Sequence, residues 1–142
     1  MNLFVDSSAY AKKYILEYGS DTINRLLFKA SQLGLCTILV PEIISALNRR
    51  IREHILQPND YLAIKRQLMD DVHDAIVLQL TPAVISHSVK LLENNLLRAM
   101  DSLHIACALE WKADLFVTAD KRQLIAAKNV GLCTEYIGQQ KQ

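Results

Sequence analysis

The chain has 142 residues, the size of one domain with its own core. Hydrophobic residues make up 51% and charged residues 22%, which excludes disordered and collagen-like chains. A net charge of +1 excludes a generally basic nucleic-acid coat, though it allows a local basic patch.

Three cysteines, Cys36, Cys107 and Cys133, lack CxxC spacing. They read as buried free thiols in a reducing compartment, so the expectation is a cytoplasmic protein. No apolar run approaches the roughly 20 residues that span a bilayer, and the first residues lack the pattern of a signal peptide. No membrane partner is expected.

In chain order, the first apolar run is Leu3 to Val5. Ser7 or Ser8 then caps a helix carrying Ala9, Ala11, Tyr14 and Ile15. A second helix is expected from about Ser20 to Leu33, stopped by Gly34, followed by a strand from Cys36 to Val40. Pro41 opens a third helix at its first turn, with Ile44, Leu47, Ile51 and Ile55 on one stripe. Pro58 starts a fourth, to about His73, before a strand from Ala75 to Leu80. Pro82 starts the next helix, and another from about Ala99 to Trp111 precedes a strand from Leu115 to Thr118. Asp120 caps a last helix to about Asn129, ended by Gly131, and Leu132 to Ile137 forms a final strand.

Continuously apolar strands alternating with helices predict right-handed βα units. The fold class is therefore α/β, a three-layer α/β/α sandwich over residues 1–137, with a frayed polar tail at 138–142.

Most acids fall in polar surroundings and read as solvated: Asp70, Asp71, Asp74, Glu17, Asp21, Glu53, Glu93 and Glu110, while Asp114 reads as a turn residue. Four differ. Asp6 ends the first strand, Glu42 follows Pro41 after the second, Asp120 follows the fourth, and Asp101 begins an otherwise apolar helix. Ligand sites of open α/β sheets form at the carboxyl ends of strands, where strand order reverses. Each acid alone could be a helix cap or a favourable charge in a first helical turn. Converging in one poorly solvated crevice, they would repel one another until protons or a cation joined them. Oxygen donors select Mg²⁺ or Mn²⁺, and such a site suits phosphodiester hydrolysis.

The segments FVDSSAYAKKY, VPEIISALNRR, LRAMDSLHIACAL and LFVTADKRQLIAAKNVGL, in this order and spacing, resemble the four signature blocks of PIN domains. The compact length is similar to that of the VapC-type toxins of toxin–antitoxin pairs. The resemblance implies a five-stranded, mostly parallel sheet of order 3-2-1-4-5 and a Mg²⁺- or Mn²⁺-dependent endoribonuclease. It implies Asp6, Glu42, Asp101 and Asp120 as the acidic metal set, with Asp6 and Asp101 the foremost direct ligands. Thr118 would position a carboxylate or water. It further implies an RNA substrate, a homodimer and a small antitoxin partner. Some members carry another acid three residues after the last Asp; here that residue is Gln123, which weakens any second metal site.

Ser7 is expected to assist the acids or to cap its helix, and His104, three residues after Asp101, to support or pack beside them. Lys12, Arg49, Arg98 and Lys121 are candidate RNA contacts, each equally an ordinary surface cation. Tyr14 reads as core and Cys107 as an inert core thiol. Asp6-Ser7-Ser8 lacks the acidic pair of receiver domains and the Asp-x-Asp of haloacid-type phosphatases. No GxGxxG or GxxxxGK[ST] occurs. The remaining alternatives are a non-catalytic PIN-like binding module acting with an antitoxin on operator DNA, and a housekeeping RNA-processing nuclease.

Overall fold

A computed structural model describes residues 1–140. Five strands, β1 (Asn2–Val5), β2 (Gln32–Cys36), β3 (Ile76–Leu78), β4 (Leu115–Thr118) and β5 (Thr134–Tyr136), form one all-parallel sheet of order β3-β2-β1-β4-β5. Seven α-helices connect them: α1 (Ser7–Tyr10), α2 (Ser20–Lys29), α3 (Leu39–Arg52), α4 (Pro58–His73), α5 (Pro82–Asn94), α6 (Ala99–Trp111) and α7 (Lys121–Asn129). Among the described residues no helix is long and apolar enough to cross a membrane.

The central strands explain the layers. Leu3, Val5 and Val117 face one core with Ile23, Leu39, Ile43, Leu47 and Leu68 of α2, α3 and α4. Phe4 and Phe116 face the other core with Val84, Leu91, Ile105, Cys107 and Ala126 of α5, α6 and α7. Strands buried on both faces have no polar side to alternate with, which is why their sequences read as unbroken apolar runs.

Several boundaries differ from the sequence expectation: β2 ends at Cys36, where the strand was expected to begin, and β3 and β5 are shorter than the apolar runs that announced them. β2 begins at Gln32, so the second helix stops at Lys29 and Gly34 lies inside a strand rather than behind a helix. A Cβ at Gly34 would stand 2.6 Å from the Trp111 ring, so the glycine serves close packing of α6 on the sheet. α3 starts at Leu39, two residues before Pro41, and ends at Arg52, which leaves Ile55 outside its stripe. α1 is a single turn continued by a 3₁₀ turn over Ala11–Lys13, capped by Asp6 rather than by Ser7 or Ser8.

Cys36 and Cys107 are buried, their sulfurs 3.6 Å apart, but Cys133 is exposed, contrary to expectation. It precedes the short edge strand β5, which lacks a second neighbour to cover it. Tyr10 is the fully buried tyrosine of the core, and Tyr14, read as core, packs half-buried against it. Asp71 is not a solvated acid: it accepts hydrogen bonds from Lys13 Nζ, Tyr14 OH and Gln67 Nε2. Of the expected frayed tail, Gly138 is buried, Gln139 and Gln140 are exposed, and 141–142 lie outside the described residues.

Candidate active site

The strand order reverses at β1. Its chain neighbour β2 lies on one side, and β4, reached through the rest of the fold, lies on the other. Val5 pairs with Val117, so the residues that follow, Asp6 and Thr118, leave the sheet side by side. The Asp6 N–H donates to Val117 O at 3.1 Å, and Thr118 Oγ1 donates to Asp6 Oδ2 at 2.6 Å. Two strand ends far apart in sequence thus meet at the crevice such sheets offer to ligands.

Asp6 is fully buried. Its oxygens also accept from the Ala9 N–H (2.9 Å) and from Ser8 Oγ (2.8 and 2.9 Å). Burial raises the pKa of its carboxyl above the ordinary range, against the opposing pull of His104, Thr118, Ala9 and Ser8. Asp6 is therefore both a helix cap and an enclosed carboxylate. Asp120 caps α7 through the N–H groups of Arg122 (2.8 Å) and Gln123 (3.4 Å). Its own N–H donates to Thr118 Oγ1 at 3.0 Å, so Thr118 ties the two strand-end acids together.

Glu42, in the first turn of α3, meets His104 of α6. His104 Nε2 lies 2.5 Å from Glu42 Oε1, and Ser7 Oγ donates to the same oxygen at 2.8 Å. His104 has no exposed surface. Burial would strip its proton, but the hydrogen bond to Glu42 and the charges of Asp6 and Glu42 prevail and raise its basicity. Burial would likewise raise Glu42, but His104 and Ser7 hold its carboxyl below the usual range.

Asp101 enters from the first turn of α6. It accepts from Gln123 Nε2 at 3.2 Å and from Arg98 Nε at 3.3 Å. Burial first, then the charge of Asp120, lifts its carboxyl above the ordinary range; Glu42 adds to the rise and Arg98 opposes it. These acids sense one another across a shared space. Ser7, Ser8, Glu42, Asp101, Asp120 and Gln123 line a cavity of about 220 Å³. It adjoins a groove of about 500 Å³ whose walls include Glu42, Arg49, Arg98 and Asp101.

The expected acids are thus gathered at one end of the sheet, with Asp6 held behind the Ser7–Ser8 wall. Ser7, Thr118 and His104 stand where the sequence placed them, against the acids. Arg49 and Arg98 flank the groove. Lys12 does not: it is buried and paired with Glu17 at 3.1 Å, so it is set aside as a ligand contact. Its aliphatic stem packs against Gly19, which draws it away from the cavity. Lys121 lines a different depression with Lys128 and Tyr136. Sequence reasoning missed Ser8, whose hydroxyl also accepts from the Ala119 N–H at 3.0 Å, and Gln123, which it weighed only as a missing acid.

Among the described residues no three His, Cys, Asp or Glu side chains are already arranged to grip a bare metal ion. The donor chemistry nevertheless fits a hydrated one: the acids Glu42, Asp101 and Asp120 with the hydroxyls of Ser7 and Ser8, only partly balanced by Arg98, around a space with room for several waters. Mg²⁺ and Mn²⁺ bound through a few carboxylates keep such waters.

An all-parallel sheet with acids gathered beyond its carboxyl edge, where strand order reverses, defines a doubly wound α/β protein with a candidate site at its switch point. The PIN domain model matches residues 3–129, and the chain belongs to that family. Similar solved structures are VapC20 of Mycobacterium tuberculosis, described as a sarcin-ricin loop cleaving toxin (TM-score 0.68, 16% identity, covering 87% of this chain and 94% of that one); VapBC2 of Rickettsia felis bound to a promoter DNA fragment (0.68, 12%, 96% and 98%); and FitAcB of Neisseria gonorrhoeae (0.68, 12%, 93% and 95%). Among curated proteins no relative matches.

Proposed function

We propose that this chain is a Mg²⁺- or Mn²⁺-dependent endoribonuclease and the toxin of a toxin–antitoxin pair. The observation that supports it most is Asp101: a carboxylate raised by burial and by its acidic neighbours, in a cavity wall next to a groove with two arginines. Similarity to a sarcin-ricin loop cleaving toxin and to a toxin–antitoxin complex favours RNA as substrate and a small antitoxin as partner. A homodimer and a cytoplasmic location complete the reading.

Glu42, Asp101 and Asp120 would hold the cation, and Asp6 would join them where the Ser8 hydroxyl yields its place. A bound divalent cation supplies charge neutralisation of the phosphate and a more acidic water. The chain supplies the geometry. Ser7 and His104 fix the rotamer of Glu42, and Thr118 and Ser8 fix Asp6. Arg49 and Arg98 hold phosphates that flank the scissile bond, largely without regard to sequence. No side chain needs to form a covalent intermediate, because positioned water attacks phosphorus directly.

The test is cleavage of single-stranded RNA by the purified chain. Activity is expected with Mg²⁺ or Mn²⁺ and none with EDTA. Asp101→Asn should lower the rate by about 10²–10³-fold, as loss of one electrostatic group in a reaction site does. Equal cleavage with EDTA or by the variant rejects the assignment. Induced expression should arrest growth, and the same variant should relieve the arrest.

A further inference from the structure

On α7, Lys121, Leu124, Ile125 and Lys128 follow the spacing of one helix face. With Tyr136 of β5 they line a depression of about 420 Å³ outside the acid cavity. Apolar side chains lie between the lysines: Leu124 is half-buried and Ile125 is exposed. Among the described residues neither Lys121 nor Lys128 forms an ion pair. Glu135, the acid of β5, lines a depression on the other face of the strand, as alternation along a strand requires. The two cations therefore surround an aromatic and apolar patch with no acid of their own.

The depression is tied to the acid site from two sides. Lys121 directly follows Asp120, which caps α7 and lines the acid cavity. Tyr136 reaches the carboxyl end of the sheet, where a Cβ at Gly138 would collide with its ring and stand 2.7 Å from Ala119 O. The glycine leaves the ring room to lie beside the turn after β4. In that turn the Ala119 N–H donates to Ser8 Oγ, which donates to Asp6. On the far side of the cavity, Arg98 lines both the cavity and the groove that holds Arg49. The acids thus lie between two basic regions.

We infer that the α7–β5 depression is a second RNA subsite, in which a base stacks on Tyr136 while Lys121 and Lys128 take phosphates beside it. The lysines are about 10 Å apart along the helix axis, so their ammonium groups can meet different phosphates of one strand. Every base offers a π-face and every nucleotide a charge, so such a subsite tolerates many sequences. A single strand laid from the Arg49–Arg98 groove to this depression passes over the acids, and a contact on each side fixes the phosphate between them. This rests on the ribonuclease reading above and names where its substrate continues.

The test is binding of a fluorescent single-stranded RNA of about 16 nucleotides to the full-length chain, followed by anisotropy over a range of salt with Ca²⁺ as the only divalent cation. Replacing both lysines, Lys121→Gln with Lys128→Gln, should flatten the slope of log affinity against log salt by about 1.4, the value for two single-strand phosphates. Tyr136→Ala should bind about tenfold more weakly, the scale of one lost base stack. Tyr136→Phe keeps the ring and should bind as the unaltered chain does. The same RNA substituted with 5-iodouridine should crosslink to Tyr136 under ultraviolet light, as read by peptide mapping. If Tyr136→Ala does not fold, the lysine variant and the crosslink decide. An unchanged salt slope, or crosslinks that spare Tyr136, overturns the subsite and leaves the patch to a protein partner, while RNA binding by the unaltered chain keeps the ribonuclease reading intact. Equal weakening by Phe and Ala rejects the stack. No RNA binding by the unaltered chain overturns both readings together.

Discussion

Asp71 of α4 and Asp101 of α6 are both mostly enclosed carboxylates, and their company differs. Asp71 receives Lys13 Nζ at 2.6 Å, Tyr14 OH at 2.7 Å and Gln67 Nε2 at 2.8 Å. Asp101 receives one amide at 3.2 Å and an arginine, itself 77% exposed, at 3.3 Å. Burial would raise both. At Asp71 the ammonium and the other donors outweigh burial and hold the acid below its ordinary range. At Asp101 they do not, and neighbouring acids push it further up. An acid completed by its own protein is a structural member. An acid left short of positive charge in a cavity wall is one that a cation can complete.

The sharpest way to break this contrast is to neutralise each acid in turn. Asp101→Asn is expected to abolish most RNA cleavage, as above, yet to leave the cation-free melting temperature at neutral pH unchanged or higher. The sign follows from its raised pKa: folding penalises the charged form, so the penalty grows as pH rises past the ordinary range. Mg²⁺ should stabilise the unaltered chain against heat and do so far less for the variant.

Asp71→Asn should do the reverse. Its depressed pKa contributes stability that is present above the unfolded value, about 3.9, and lost as pH falls through the folded value. The variant should lose about 1–3 kcal/mol at neutral pH by denaturant unfolding. The deficit should shrink below about pH 4, and cleavage below the melting temperature should be unaffected. A similar loss of cleavage in both variants would erase the distinction.

Thr118→Val probes which class Asp6 belongs to. The substitution removes the hydroxyl that donates to Asp6 at 2.6 Å and accepts from the Asp120 N–H at 3.0 Å. If Asp6 serves the cation, Mn²⁺ affinity should fall about tenfold, as for other partners that orient a ligand. A loss of stability with unchanged affinity would place Asp6 beside Asp71 as a structural acid.

Much of this was legible before the fold was known, for physical reasons. Asp6 and Asp120 stood out because each directly follows an apolar strand, Glu42 because it follows Pro41 at the expected helix start, and Asp101 because its helix is otherwise apolar. Strand boundaries were less legible. Gln32 to Gly34 carry polar and small residues that read as a helix end, and only the Trp111 ring across the layer explains Gly34. Lys12 and Asp71 were misread for the same reason. Their partners, Glu17 and the pair Lys13 and Tyr14, depend on how the 3₁₀ turn directs consecutive side chains to opposite sides. Gln123 offered no signal beyond its place three residues after Asp120, because its hydrogen bond to Asp101 is a property of the packed site.

The smallest expected effect concerns the arginine that touches a site acid. Arg98 Nε lies 3.3 Å from Asp101 Oδ2, but its side chain is 77% exposed. Water and salt screen such a pair, so Arg98→Gln should change stability by no more than about 0.5 kcal/mol. Its contribution should surface in binding instead. RNA affinity should fall similarly for unrelated sequences, and the slope of log affinity against log salt should shrink by about one. This is the pattern of a lost phosphate contact, to be read from filter binding with the cleavage-deficient Asp101→Asn background replaced by Ca²⁺ to keep Asp101 intact. A stability loss as large as that of Asp71→Asn would mean that Arg98 completes Asp101 as Lys13 completes Asp71, and the two neighbourhoods would no longer differ in kind.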